Sequence, residues 1–281
     1  KCSLLFLTNE LATGFDNTNT TLENRDEAVD ASLFADIQGH TQPNVYQTLG
    51  EYWLWLQDNH TGIALTRIHE WHRDRGLVPP ADRPDWIRRA TLYSFHPKGS
   101  IGSLWSDWGG FEPSIKQLDR IAELGCNAIW LLPLEDLSPY WPRDYYKFQD
   151  GLGTPEQYKQ LVDRAHERGM HVWQDIVPHG GSNTYQRAKD HPEWLVQQED
   201  GSTLNYWCFD FNWPSWIDYM KDVARHYVKT YGINGYRIDA CGGSKIPNWN
   251  PDIPYSRASQ SLTPGGIHMQ KAIRDGSREF N

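Results

Sequence analysis

From residue 90 onward, short apolar runs alternate with stretches of helical periodicity. This alternation restricts the fold more than any other feature of the chain. Residues 90–96, 127–132, 170–177 and 233–239 are short, apolar and bounded by turn residues, and each reads as a strand. Helical patterns lie between them. Pro113 opens one, with Ile115, Leu118, Ile121 and Ala122 on one face and Gly125 at its end. Thr154-Pro155-Glu156-Gln157 is a capping box with proline at the first helical position; Tyr158, Leu161, Val162 and Ala165 follow it, up to Gly169. A third helix starts near Pro214, carries Trp216, Met220, Val223 and Tyr227 and stops at Gly232. A fourth begins near His268 and includes Met269, Ala272 and Ile273.

Successive strand–helix units predict an α/β fold, a parallel sheet with helices outside it. An open doubly wound sheet and a (β/α)8 TIM barrel both fit. No Gly-x-Gly-x-x-Gly follows any strand, so the nucleotide-binding form of the open sheet lacks its phosphate cradle. A complete barrel takes about 250 residues. Residues 90–281 hold only the first half of one, about four βα units, so the barrel reading implies that the rest lies beyond residue 281. The loop at 180–212 is short, and Asp200-Gly201 within it marks a hairpin turn. Residues 1–89 form a separate N-terminal segment, expected to be mainly helical or irregular. Residues 8–30 read as a solvated loop, residues 45–75 as one or two helices with an apolar stripe, and the prolines of 78–84 as a linker.

Composition removes several classes of function. The net charge is −9, which argues against a nucleic-acid partner. No apolar run reaches the roughly 18–20 residues of a membrane span. Cys2, Cys126, Cys208 and Cys241 are far apart in sequence and predict neither a disulfide framework nor a zinc knuckle. His166 and His171 are five apart with Gly169 between them, the wrong spacing for a helical zinc pair. The 14 Trp and 14 Tyr are the outlying numbers: aromatic faces beside polar handles suit flat, amphipathic ligands.

In a parallel barrel, chemistry sits at the C-terminal ends of the strands. The first strand ends at His96, a candidate substrate contact. Glu135, Asp136 and the run Tyr140-Trp141-Pro142-Arg143-Asp144-Tyr145-Tyr146 follow the second. The third presents Asp175 and His179, and the fourth Arg237 and Asp239. Alternation along the fourth strand puts Arg237 and Asp239 on one face. A guanidinium beside a carboxylate keeps it charged, as a nucleophile requires; the same pair also suits a purely structural role at the barrel mouth.

Four stretches resemble the alpha-amylase family of glycoside hydrolases. Tyr140 to Tyr146 is similar to the family's second-strand loop, Asp175-Ile176-Val177-Pro178-His179 to its third-strand motif, and Gly235-Tyr236-Arg237-Ile238-Asp239 to its fourth-strand motif. The approach to that strand, from Asp210 through Tyr219 to Gly232, is also similar. The resemblance implies a retaining glycoside hydrolase or transglycosylase acting on alpha-glucosidic bonds of oligo- or polysaccharides. In that reading Asp239 is the nucleophile and Arg237 holds it charged. Tyr140 stacks on the sugar, Asp175 hydrogen-bonds it, Asp144 pairs with Arg237, and His179 and His96 complete the substrate contacts.

The departures from the family are specific. His179 and Gly180 stand where the family has Asn and His, the first of which helps to hold a structural calcium. No metal or cofactor is therefore assigned. Gly242-Gly243 replaces a Lys-His that follows the nucleophile in many members. The family's acid/base, a Glu ending the fifth strand, has no counterpart before Asn281, so the chain is expected to be inactive alone. A non-catalytic carbohydrate-binding or scaffold protein built on the same barrel is the alternative.

Overall fold

A computed structural model describes residues 3–8, 17–25, 28–36, 44, 52–57, 61–74, 78–99, 108–240, 248–253 and 263–280, without the side chains of 3–36, 52–64 and 263–264. The chain divides into two units, one of Lys1–Ile37 and Pro43–Arg89, the other of Gln38–Gln42 and Ala90–Asn281.

The first unit departs from its predicted helical or irregular character. It contains two antiparallel strand pairs. β1 (Ser3–Thr8) pairs with β4 (Tyr52–Gln57), and β2 (Asn17–Arg25) pairs with β3 (Ala28–Asp36). One helix, α1 (Thr61–Asp74), follows. The solvated loop expected at 8–30 thus includes most of a β-ribbon, and only the second part of 45–75 is helical. The misreading has a physical cause. Tyr52-Trp53-Leu54-Trp55-Leu56 is continuously apolar, and such a run does not distinguish strand from helix; its aromatic content favours a strand. In β2 the threonines suit a pleated ribbon even though their neighbours are polar.

The second unit is built on a parallel sheet of four strands in the order β5 (Leu92–Phe95), β6 (Ala128–Leu131), β9 (His171–Ile176) and β10 (Gly235–Ile238). Sequence order equals spatial order, the arrangement of a barrel wall. Between β6 and β9 lies a small hairpin of β7 (Leu137–Ser138) and β8 (Trp141–Pro142). The helix opened by Pro113 is broken into α2 (Phe111–Ile115) and α3 (Leu118–Glu123). Phe111, Leu118 and Ile121 nonetheless all reach the core.

Helix α4 (Pro155–His166) starts at the capping box that the sequence announced. Thr154 Oγ1 accepts from the Gln157 backbone N–H, and Gln157 Oε1 accepts from the Thr154 N–H. Tyr158, Leu161, Val162 and Ala165 are all buried on its inner face. A short helix α5 (Gln186–Asp190) precedes the long α6 (Pro214–Tyr231), and α7 (Thr263–Arg278) packs beside α6. Gly232 ends α6 in the left-handed conformation, φ 79°, which a glycine adopts at little cost. Asp200-Gly201 makes its predicted turn, with Gln198 N–H bonded to Ser202 O at 2.7 Å. Among the described residues no helix is long and apolar enough to cross a membrane.

Side chains from the helical layer hold the end of β9. Trp216 of α6 is fully buried, and its Nε1–H donates to Pro178 O at 2.9 Å. Tyr145 donates to Val177 O at 2.7 Å, and Tyr227 of α6 donates to Tyr145 O at 2.9 Å. The segment Val177-Pro178 is therefore fixed by two side-chain donors just before His179. Trp216→Ala removes a buried indole and one of those donors, and is expected to lower the unfolding free energy by about 3–5 kcal/mol. Urea denaturation measures it; a loss below about 1 kcal/mol would show that the anchor lies elsewhere.

Candidate functional site

The register of the parallel sheet decides which side chains meet. Ser94 lies beside Trp130, Trp130 beside Trp173, Trp173 beside Gly235, and Asp175 beside Arg237. Alternate residues of a strand share a face, so Ser94, Trp130, Trp173, Asp175 and Arg237 project to one side. The other side belongs to the helices: Tyr236 donates to Ala224 O of α6 at 2.9 Å, and Tyr158 of α4 donates to Gln174 Oε1 at 2.7 Å. Asp239 N–H bonds to Ile176 O at 2.8 Å and extends the ladder by one step, which brings Asp239 to the face of Arg237.

Arg237 joins the two carboxyl groups. Its Nη1 donates to Asp175 Oδ1 at 3.1 Å and Oδ2 at 3.2 Å, and also to Asp239 Oδ1. The guanidinium carbon lies 5.6 Å from the centre of the Trp130 ring, a cation–π distance. Tyr140 donates its hydroxyl to Asp175 Oδ2 at 3.2 Å. His179 Nε2 lies 3.3 Å from Asp239 Oδ2, and its Nδ1 lies 2.7 Å from Gly180 O. Five of the seven sequence-derived candidates, Asp175, Asp239, Arg237, Tyr140 and His179, thus form one connected cluster.

The other two make local backbone contacts. Asp144 does not pair with Arg237. Its Oδ1 accepts the Tyr146 backbone N–H at 2.9 Å, and the residue lines a cavity of about 470 Å³ with Asp136, Arg143, Lys147 and Arg187. The reason is local: a carboxylate two residues before a free N–H closes an Asx turn in preference to a distant pair. His96 is buried, and its Nδ1 accepts the Lys98 backbone N–H at 3.2 Å, so it closes the turn after β5.

The two carboxyl groups on Arg237 differ electrostatically. Asp175 is fully buried, and burial pushes it up to about 7 in spite of the arginine. Asp239 retains some exposure. Burial alone would raise it too, but the His179 contact and Arg237 outweigh that and hold it below the usual carboxylate range. One group is thus poised to carry a proton near neutrality while its neighbour stays ionised. Burial and the adjacent Asp175 raise the Tyr140 phenol well above its ordinary value, which keeps it a donor.

Three residues at this mouth that are not glycine adopt positive φ: Tyr140 at 61°, Trp207 at 56° and Ala240 at 47°. Each sits in a sparsely populated region that surrounding contacts must enforce. Tyr206 and Trp207 were absent from the sequence-derived set. Tyr206 stacks on Trp141 with centroids 4.2 Å apart and planes 5° from parallel, and it donates to Tyr140 O at 2.9 Å. No periodicity marks these two residues, because they lie in an irregular loop. Trp130 was legible, since it alternates in step with its neighbours on the inward face.

A calcium ion would need an oxygen donor at the position of His179, where the resemblance implied Asn. The nitrogens of His179 instead face Gly180 O and Asp239, so the residue present does not fit such a site. Among the described residues no cluster of three or more His, Cys, Asp or Glu is placed to hold a metal. Cys241 and Gly242-Gly243 lie outside the described residues.

With this geometry in hand, residues 93–209 match the alpha amylase catalytic domain. This segment belongs to the alpha-amylase family. An oligo-1,6-glucosidase of Bacillus sp. (strain F5) is 30% identical over 239 residues, 69% of this chain and 47% of that protein. A 1,4-alpha-glucan branching enzyme of Corynebacterium glutamicum is 30% identical over 207 residues, 66% of this chain and 26% of that protein. The solved trehalose-6-phosphate hydrolase of Bacillus licheniformis superposes with a TM-score of 0.56 at 17% identity, covering 70% of this chain and 43% of that one, a likeness of fold. The chain spans less than half the length of these curated relatives. The chain thus presents a parallel α/β sheet that forms part of a barrel wall, and the proteins that its residues 93–209 resemble act on alpha-glucosidic bonds.

Behind the cluster, on the helix side of β9, lies Glu135. It is buried, and Gln174 Nε2 donates to its Oε1 at 3.2 Å. Burial, with a smaller push from Asp175, raises its carboxyl to about 8, so it is neutral at pH 7. The folded state therefore binds a proton that the unfolded state releases above its ordinary value of 4.5. Stability from this group is complete below that value and is lost as the pH rises towards 8, at up to about 1.4 kcal/mol per unit. Glu135→Gln keeps the shape and removes the titration. It is expected to flatten the decline in stability between pH 5 and 8; urea titrations across that range that give parallel curves for both proteins would overturn this.

Proposed function

We propose that this chain supplies the nucleophile side of a retaining glycosidase or transglycosylase site for alpha-glucosidic bonds of oligo- or polysaccharides. The carrying observation is the single Arg237 nitrogen that bonds both Asp175 and Asp239 and leaves Asp239 ionised. In the proposed step an oxygen of Asp239 forms a bond to the anomeric carbon while the bond from that carbon to the leaving oxygen breaks. The leaving oxygen takes up a proton from a second carboxyl group. Asp175, tied to Arg237 and Tyr140, serves to orient the sugar, with Tyr140 at its edge. The family's acid/base falls outside the cluster described above.

A leaving group that needs no proton tests the nucleophile by itself. An alpha-glucosyl fluoride slowed by a second fluorine on the ring can glycosylate a carboxylate without acid assistance. Mass spectrometry of the treated full chain is expected to find one glucosyl adduct, on the peptide containing Asp239, and none in Asp239→Asn. Labelling of another residue instead would remove Asp239 as the nucleophile, and sugar binding without an adduct would replace this reading with a non-catalytic carbohydrate-binding one.

We also propose that no structural calcium is held at His179. A site saturated 100-fold above its Kd would add about 2.7 kcal/mol, enough to raise Tm by several degrees. Calcium or a chelator is expected to move Tm by less than about 1 °C. A rise of several degrees that disappears in His179→Ala would show that the ion is bound there.

A further inference from the structure

We infer that His179 is a positioning residue for Asp239, its imidazole carrying hydrogen on both nitrogens and holding one carboxylate oxygen while Arg237 holds the other. That Asp239 is a nucleophile rests on the function proposed above; the pairing does not. Gly180 O, 2.7 Å from Nδ1, can only accept, so Nδ1 bears a hydrogen. In a neutral ring Nε2 would then be a lone pair turned towards a carboxylate 3.3 Å away, two acceptors facing each other. Charge on the ring removes the conflict. The 3.3 Å separation is that of an ion pair without the alignment of a hydrogen bond.

The ring has no freedom to turn elsewhere. It is 1% exposed. Trp207 stacks on it at 4.7 Å and 25°, and Tyr206 meets it edge-on at 5.2 Å and 83°. The face of the Trp207 ring suits a cationic imidazole. The charged and titratable groups around it are Asp239, then Arg237 and, through Arg237, Asp175 with the Tyr140 hydroxyl, and on the loop side Tyr206. With both nitrogens committed, the ring has no donor left for a sugar. The substrate contact that the sequence implied for His179 is thus replaced by control of where the Asp239 oxygens point.

The test needs no turnover. Nitrogen-15 NMR of histidine-labelled full chain reports both ring nitrogens, and the His179 signals are identified by their loss in His179→Gln. At neutral pH the expected pattern is protonation at both nitrogens, changing in Asp239→Asn to a neutral ring with hydrogen at Nδ1. A neutral ring in the parent chain, or a pattern indifferent to Asp239→Asn, would overturn the proposal. Fluorosugar labelling adds a second readout. His179→Gln keeps a donor near the place of Nε2 and is expected to label within about tenfold of the parent rate, whereas His179→Leu falls about a hundredfold at unchanged half-saturation. A His179→Leu variant that shifts half-saturation and leaves the limiting rate intact would instead make His179 a sugar contact. If no form is labelled while the NMR pattern holds, the pairing stands and the proposed nucleophile falls.

Discussion

One guanidinium nitrogen, Nη1 of Arg237, donates to both Asp175 and Asp239, and the whole mouth of the sheet is arranged around that shared donor. Parallel register sets Arg237 beside Asp175, and strand alternation sets Asp239 on the same face. Two carboxylates this close repel when both are ionised. The structure resolves the repulsion by unequal burial. Asp175 is sealed from solvent and rises to about 7, whereas Asp239 keeps some exposure and, held by the His179 contact and Arg237, falls below its ordinary range. The difference between the two groups comes from their surroundings and not from their chemistry.

Another acid, Glu135 of the loop after β6, lies against the helix side of β9. Gln174, one residue before Asp175, faces the helices and bridges Tyr158 to Glu135. A buried polar group without partners costs free energy; Glu135 Oε1 accepts from Gln174 while Oε2 finds no hydrogen-bond partner among the described residues, and the neutral form limits that cost. Ionising either acid disfavours the other, since Asp175 is among the causes that raise Glu135. The protonation of the face that carries Asp175 and that of the helix–sheet layer are therefore coupled across β9.

Much of the second unit was legible in the sequence because its signals are local. The capping box at Thr154, the terminating Gly232 and the apolar faces of α4 and α6 need no distant partner to be read, and strand alternation placed Arg237 with Asp239. The pairing of Asp175 with Arg237 was not read from the sequence, since register between distant strands leaves no mark within either one. Asp144 was misassigned for the same reason: its sequence position gave it a suitable charge, but a backbone N–H two residues away captured the carboxylate. In the first unit the polar residues of β2 pointed to a loop, and the alternation of Val29, Ala31, Leu33 and Ala35 in β3, which announces a strand, was passed over; cross-strand pairing decides the structure there.

The departures at His179 and Gly180 are one structural change, not two. Gly180 has φ 76°, and a Cβ there would lie 2.7 Å from the Phe209 ring. A histidine in that place would need Phe209 to retreat from the core it shares with Trp194 and Trp216. Phe209 and Trp207 belong to the same short run of the loop, so the close approach that excludes a side chain at Gly180 also brings the Trp207 ring over His179. The loop that leaves no room for a side chain at Gly180 thus encloses the imidazole of His179, which faces the carboxylate of Asp239. The loop thereby becomes part of what holds that carboxylate, which links the packing of Phe209 to the geometry of the proposed nucleophile.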